Sequence, residues 1–193
     1  MSHLKFNGRI TPETFTAGFS KATWPGRLSF HTLPNGKSIL VDGAHNPGSA
    51  QTLADFIATL LPSLPTPNDS FNLTYVLELS NSPPKQPLDT LFSPSLLFPT
   101  QTNVKVNVGA LEFSPPEDMP WVKAEPPSAI YDAVKAHCPH ARLWSPSERR
   151  KGLSDALDWA TGVSGDAGLT VLAGSLYLVS DFYRFQKSSC DPF

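Results

Sequence analysis

Apolar positions recur along this chain in two alternating rhythms, and the alternation predicts the order of its elements. Phe15 and Phe19 stand at helical spacing behind Thr11-Pro12-Glu13, which predicts a helix over residues 11–22. Trp24-Pro25-Gly26-Arg27 then forms a turn before a strand over 28–32. The Asn-Gly of Pro34-Asn35-Gly36-Lys37 marks a tight hairpin, and Ser38-Ile39-Leu40-Val41 reads as a buried strand ending at Asp42. Pro47 suits the first turn of a helix whose apolar face is Ala50, Leu53, Ala54, Ile57 and Leu60/Leu61. A strand follows over 73–79. The Pro/Ser-rich stretch 80–103 is expected to hold one short helix around 88–92, and Val104, Val106 and Val108 alternate as a strand. A proline-rich loop, 114–127, leads to a helix over 128–136, a short strand over 142–144, and a helix from Ser147 or Glu148 to Ala160. A strand over 169–173 and a helix from Ser175 to about Phe185 complete the pattern.

After an initial antiparallel hairpin, strands alternate with helices. The expected class is α/β: a Rossmann-like, mostly parallel sheet with helices on both faces and right-handed crossovers. Ligands in such sheets bind beyond the carboxyl ends of the strands. Residues 42–47 and Gly174-Ser175 both fall at such ends.

At 193 residues with 40% apolar content, the chain fits one domain, or one domain with a short appendage, with enough apolar residues for a core. Twenty prolines are about twice the ordinary share and read as rigid loops between elements. A net charge of −2 offers no field for nucleic acid or an anionic membrane, so neither is an expected partner and any phosphate site must be local. No apolar run approaches the roughly twenty residues of a membrane helix, and the N-terminus lacks a signal-peptide stretch. Cys138 and Cys190 suit a reducing compartment better than a disulfide framework, and Cys190 is expected in a terminal tail. His137-Cys138-Pro139-His140 has metal-type residues, but Pro139 breaks the helix and further ligands are lacking, so no metal site is expected.

The candidate chemistry sits at the two strand ends. A guanidinium on a rigid turn, as at Arg27, can grip phosphate oxygens with paired hydrogen bonds; a surface ion pair is the alternative. Trp24 is expected to pack and fix that turn. Asp42, ending an apolar strand, suits ribose hydroxyls or a turn before Gly43. His45 and Asn46 stand where a helix start favours an anion, although asparagine is equally a cap. Ser175 repeats that geometry: its hydroxyl at a helix start can hold a carboxylate or simply cap. No Gly-x-Ser-x-Gly elbow makes it a nucleophile. Asn35-Gly36-Lys37-Ser38 imitates a P-loop tail, but His31 stands where the first glycine belongs, and phosphate binding is rejected there. Arg149-Arg150-Lys151 reads as a solvated basic face.

Three segments carry a resemblance: Trp24-Pro25-Gly26-Arg27-Leu28, then Asp42-Gly43-Ala44-His45-Asn46-Pro47, then Ala173-Gly174-Ser175-Leu176-Tyr177-Leu178-Val179. In order and spacing they resemble the C-terminal domain of the folate branch of the Mur ligases, the dihydrofolate synthases and folylpolyglutamate synthases, over nearly the whole chain. The resemblance implies a domain that binds ATP and L-glutamate. Arg27 would contact ATP's terminal phosphates and act catalytically, Asp42 and Asn46 would bind ATP, and His45 and Ser175 would bind glutamate. In that family ATP phosphorylates the carboxylate of dihydropteroate or folate, and the glutamate amine attacks the acyl phosphate, giving an amide, ADP and phosphate. The P-loop, most of the pterin pocket and the Mg²⁺ ligands are implied to lie in an N-terminal catalytic domain, a partner without which this chain would be inactive. His45-Asn46-Pro47 looks closer to dihydrofolate synthases and bacterial bifunctional enzymes than to eukaryotic polyglutamate-only enzymes, which tend to have threonine at the Asn46 position. The expected layout is a linker remnant and helix (1–22), the Mur-ligase-like domain (23–186) and a flexible tail (187–193). The expected compartment is the cytoplasm, with mitochondria open to the full-length enzyme. A noncatalytic α/β binding module derived from this family is the other reading.

Overall fold

In the computed structural model, residues 11–22, 24–64, 70–81, 88, 103–113, 118–145 and 152–190 are described. In chain order the elements are α1 (Pro12–Lys21), β1 (Ser29–Thr32), β2 (Ser38–Val41), α2 (Pro47–Leu60), β3 (Phe71–Leu77), β4 (Ser80–Asn81) and β5 (Val104–Ala110). They continue with β6 (Lys123–Ala124), α3 (Pro127–His137), β7 (Arg142–Leu143), α4 (Leu153–Ser164), β8 (Leu169–Ala173) and α5 (Leu176–Cys190). Six strands form one sheet in the order β1-β2-β8-β3-β5-β7. β1 runs antiparallel to β2, and every other pairing in this sheet is parallel. β4 and β6 form a separate two-stranded ladder. The hairpin, the mostly parallel sheet and the helices on both faces match the sequence expectation.

The two-residue period of the strands sorts their side chains into two cores. On one face Leu40, Leu73, Tyr75, Val108 and Val171 pack with Leu53 and Ile57 of α2 and Ile130 and Val134 of α3. On the other, Ile39, Val41, Val76 and Leu172 pack with Ala156, Leu157 and Ala160 of α4 and with Leu178, Val179 and Phe182 of α5. The sheet's buried polar groups pair with each other: Asn107 Nδ2 donates to Thr74 Oγ1 at 3.2 Å, and Ser164 and Thr170 share a 2.9 Å hydroxyl bond. Among the described residues, no helix is long and apolar enough to cross a membrane.

Several boundaries differ from the sequence expectation for local reasons. The start of α4 expected at Ser147 or Glu148 lies outside the described residues; the described part of the helix begins at Leu153, with Gly152 as its N-cap donating its N–H to Asp155. It runs past Ala160 to Ser164, where Gly165 at φ +66° stops it. α5 continues beyond Phe185 to Cys190, so that cysteine belongs to the helix rather than to a tail. α1 forms as expected, yet Phe15 is exposed. Apart from Leu88, the short helix expected around 88–92 lies outside the described residues, as does Arg149-Arg150-Lys151.

Three neighbouring strands, β2, β8 and β3, end side by side, and their ladders continue one residue further. Asp42 N–H donates to the Leu172 carbonyl at 3.0 Å, and Glu78 N–H to the Ala173 carbonyl at 3.3 Å. Asp42, Gly174 and Glu78 therefore share one edge of the sheet. Gly174 adopts φ +116°, and a Cβ on it would drive into the Glu78 carbonyl oxygen. Gly174→Ala should lower the unfolding free energy by about 2–4 kcal/mol, because strain and a backbone clash combine. Gly162→Ala in α4, with open space around it, should be neutral or stabilising by up to about 1 kcal/mol. Urea titrations of both variants test the contrast; equal losses would contradict it.

Candidate functional site

The turn before β1 is built by its backbone rather than by its tryptophan. Arg27 N–H donates to the Trp24 carbonyl at 3.1 Å, whereas the Trp24 side chain is exposed; the expected packing role belongs to its main chain. Gly26 takes φ +71°, which a side chain would strain. Its N–H meets Ser29 Oγ at 3.2 Å, and its carbonyl accepts Gly43 N–H at 2.8 Å. Leu28 is also left-handed, at φ +43°, an uncommon state for a leucine. What holds it there is Asp42, whose Oδ2 accepts Leu28 N–H at 2.8 Å.

Asp42 is thus a buried carboxylate at the end of β2. Burial raises its pKa, opposed by the Leu28 amide, the Arg27 charge, the Ala44 amide and His45, in that order. The Arg27 guanidinium stands 3.9 Å from Asp42 Oδ1, a long contact, and its side chain remains 35% exposed. It is aimed by the carboxylate without being closed over by it.

The α2 start follows at once. Asn46 is its N-cap: its Oδ1 accepts Ser49 N–H at 2.9 Å, while Ser49 Oγ accepts the N–H groups of His45 and Asn46 at 3.0 and 3.2 Å. Half of the asparagine side chain is therefore committed to the helix. His45 Nδ1 lies 2.7 Å from the Gly43 carbonyl. A carbonyl only accepts, so Nδ1 carries a proton and the neutral ring presents its Nε2 lone pair.

Ser175 stands at the end of β8 and is only 1% exposed. Its Oγ accepts Leu178 N–H at 3.0 Å, capping α5, and donates its one proton to Glu78 Oε1 at 2.7 Å. The hydroxyl points toward β3, on the far side of β8 from β2. The structure therefore gathers Arg27, Asp42, His45 and Asn46 at one junction and turns Ser175 inward beside it. The two halves meet through α5. A Cβ on Gly43 would drive into Leu176 Cδ2, and one on Gly26 into Val179 Cγ1.

Glu78 is the residue the sequence reading passed over. It lies within an apolar run expected to be strand, and a charge inside Thr74-Tyr75-Val76-Leu77-Glu78-Leu79 was the available signal. At 1% exposure, burial pushes its pKa up to about 8; the Ser175 hydroxyl opposes this, the Asp181 charge adds to it and the Leu178 amide opposes it.

At the opposite end of the sheet, Asn35, Lys37, Ser38, Thr161, Asp166 and Thr170 help line a polar cleft of about 340 Å³. Its lysine is paired with Asp166, and the Asn35-Gly36 turn closes the hairpin through Gly36 N–H to the Leu33 carbonyl at 2.8 Å. At the end of α3, Lys135 Nζ donates to the Pro139 and Ala141 carbonyls at 2.9 and 2.7 Å. Among the described residues, no group of three or more His, Cys, Asp or Glu could hold a metal.

The Glu78 shift has a measurable sign. Between its ordinary 4.5 and about 8, the folded chain holds a proton that the unfolded chain has lost. Glu78 therefore stabilises the fold at low pH, and that contribution is lost as pH rises through the folded value, by at most about 1.4 kcal/mol per pH unit. Glu78→Gln should remove this component. Urea titrations at pH 5, 6.5 and 8 check it; parallel curves for wild type and variant would show that Glu78 is not buried neutral.

Comparison with known proteins places this geometry. Residues 27–185 match the family described as dihydrofolate synthetase, C-terminal domain. The chain is 26% identical over 170 residues to a probable dihydrofolate synthetase of Schizosaccharomyces pombe, covering 88% of this chain and 36% of that one. It is 27% identical over 190 residues to the dihydrofolate synthetase of Saccharomyces cerevisiae, covering 93% and 39%. In fold it is similar to E. coli FolC in complex with DHPP and ADP, with a TM-score of 0.61 at 15% identity over 94% of this chain and 36% of that chain. The Mycobacterium tuberculosis folylpolyglutamate synthase complexed with ADP and AMPPCP gives 0.58 at 22% identity over 92% and 35%. The chain thus spans little more than a third of the length of these relatives. With the family matched across most of its length and the Trp-Pro-Gly-Arg turn tied to the Asp-Gly-Ala-His-Asn-Pro strand end, the chain belongs to the dihydrofolate synthetase C-terminal domain family.

Proposed function

We propose that this chain is the ATP- and glutamate-binding part of a ligase that joins L-glutamate to dihydropteroate or folate through an acyl phosphate. The observation that carries the proposal is the partly exposed Arg27 side chain, held on a rigid turn beside Asp42 and the amino end of α2. A cation there and the helix dipole act on the same anion, such as the terminal phosphates of ATP. In this role Arg27 stabilises charge on the transferring phosphoryl group. Asp42 meets the ribose with the Oδ1 edge left beyond Leu28, and Asn46 offers its amide N–H₂ to phosphate.

His45 suits the incoming glutamate in either protonation state: Nε2 accepts from the ammonium when neutral and donates to a carboxylate when charged. Ser175 serves the glutamate carboxylate only by exchanging its bond to Glu78. Mg²⁺ does not fit as a resident of these residues, because Asp42 is committed to backbone amides. The P-loop, pterin pocket and metal ligands belong in this proposal to an N-terminal partner domain, and the chain by itself does not turn over.

The inward hydroxyl of Ser175 and the capping side chain of Asn46 favour a second reading, a noncatalytic binding module. Calorimetric titration with ADP separates them. The ligase reading expects saturable binding, in the millimolar range for an isolated wall of the site, weakened roughly tenfold or more in Arg27→Ala, a loss of about 1.4 kcal/mol. Binding equal in wild type and Arg27→Ala would remove the arginine from the site. Substantial ATP- and glutamate-dependent amide synthesis by the purified chain would overturn the claim of inactivity.

A further inference from the structure

We propose that Glu78 is a positioning residue for the Arg27–Asp42 junction, acting through Ser175 and the first turn of α5. The contacts form a continuous line. Glu78 Oε1 takes the Ser175 proton at 2.7 Å, and the same hydroxyl accepts Leu178 N–H at 3.0 Å, so the carboxyl orients the group that caps α5. The first turns of that helix carry Leu176 and Val179. Their side chains lie against Gly43 and Gly26, where an added Cβ would meet Leu176 Cδ2 and Val179 Cγ1. Gly26 precedes Arg27, Gly43 follows Asp42, and the two glycines are joined by the 2.8 Å bond from Gly43 N–H to the Gly26 carbonyl. A shift of α5 relative to β8 therefore reaches both sides of the junction. From the other direction, Glu78 N–H donates to the Ala173 carbonyl at 3.3 Å and Gly174 at φ +116° lies against the Glu78 carbonyl, so the Glu78 backbone is tied to the β8–α5 turn.

The groups facing Glu78 decide what its ionisation does. From α5 it meets the Ser175 hydroxyl, the Leu178 amide and the negative field of Asp181, itself paired with Arg184 at 2.8 Å. From β8 it meets backbone, the carbonyl of Ala173 and the turn at Gly174. Nothing in this set neutralises a buried carboxylate. Ionised Glu78 must reach water, and leaving means releasing Ser175 and loosening the cap of α5. With the proton on, the junction is held; with it off, the Gly26 and Gly43 contacts relax. Only the ligand half of this proposal rests on the ligase-domain reading; the coupling within the chain does not.

Amide spectra of the 193-residue chain between pH 7 and 9.5 test it, with Glu78→Gln and Ser175→Ala alongside. In wild type the Gly26, Arg27 and Gly43 amides should move together on one curve with a midpoint near 8, the value burial gives Glu78. In Glu78→Gln they should stay still. In Ser175→Ala, which keeps the carboxyl but cuts the line, Glu78 should titrate while those amides do not follow, so the test survives a poorly folded Glu78 variant. ADP affinity measured on the same samples should fall about fivefold across this range in wild type, the lower end of typical coupling between sites, and stay level in Glu78→Gln. A titration confined to Ser175 and Leu178, with Gly26, Arg27 and Gly43 unmoved, would reduce Glu78 to a local cap and overturn the proposal. So would identical curves in wild type and Glu78→Gln. Amides that titrate as expected in a chain that binds no ADP would uphold the positioning role and sink the ligase reading instead.

Discussion

The junction depends on one buried carboxylate meeting one strained amide. Leu28 is held left-handed at φ +43°, a state that costs a leucine about 1–2 kcal/mol, and Asp42 Oδ2 holds it there at 2.8 Å. Without that bond the turn relaxes toward ordinary backbone angles, and Arg27, its neighbour, loses its direction. Asp42 itself tolerates burial because two backbone amides and a guanidinium oppose the desolvation of its charge. The turn and the carboxylate are thus mutually necessary. The 2.8 Å bond from Gly43 to Gly26 ties the same two segments a second time.

Around this knot the polar side chains divide into those that face inward and those that remain for a ligand. Asn46 and Ser175 stand at the starts of α2 and α5, where four amide N–H groups per helix lack carbonyl partners. Each offers its oxygen to the third amide along, and Ser175 also gives its proton to Glu78. Arg27 has no such internal duty beyond a 3.9 Å contact, and His45 leaves Nε2 clear when neutral. The sequence left a plain cap as the alternative role for both Asn46 and Ser175. Their hydrogen bonds show both capping: Asn46 gives its Oδ1 to α2, and Ser175 spends its hydroxyl on Leu178 and Glu78.

Much of the fold was legible because periodicity is a local property. The Asn-Gly hairpin, the two-residue alternation of β5 and the apolar face of α2 each occupy a few residues and need no distant partner to be read. The misjudged places all depend on something further away or on a single atom. Where α4 ends turns on one residue, Gly165 at φ +66°, rather than on the apolar pattern that runs to Ala160. Trp24 invites a packing role from its size, but the turn closes through its carbonyl and the ring stays in solvent. Glu78 falls within a run read only as strand. Its hydrogen-bond partner is Ser175, ninety-seven residues later, just before α5.

By itself, the sequence determined the α/β class, the order of the main sheet's strands and its helices but not the β4–β6 ladder, and the two strand ends where chemistry is concentrated. Those follow from spacing, turn residues and the poor fit of glycine and proline inside regular elements. Tertiary structure alone decided which of the candidate side chains meet. It set β8 between β2 and β3, and so placed Ser175 next to Glu78 rather than open beside Arg27. It also laid α5 over two glycines and thereby joined the two halves of the edge. The physical reason is that hydrophobic periodicity constrains one segment at a time. Hydrogen-bond partners and the dielectric around a carboxyl are set by segments far apart in the chain, and only packing brings them together.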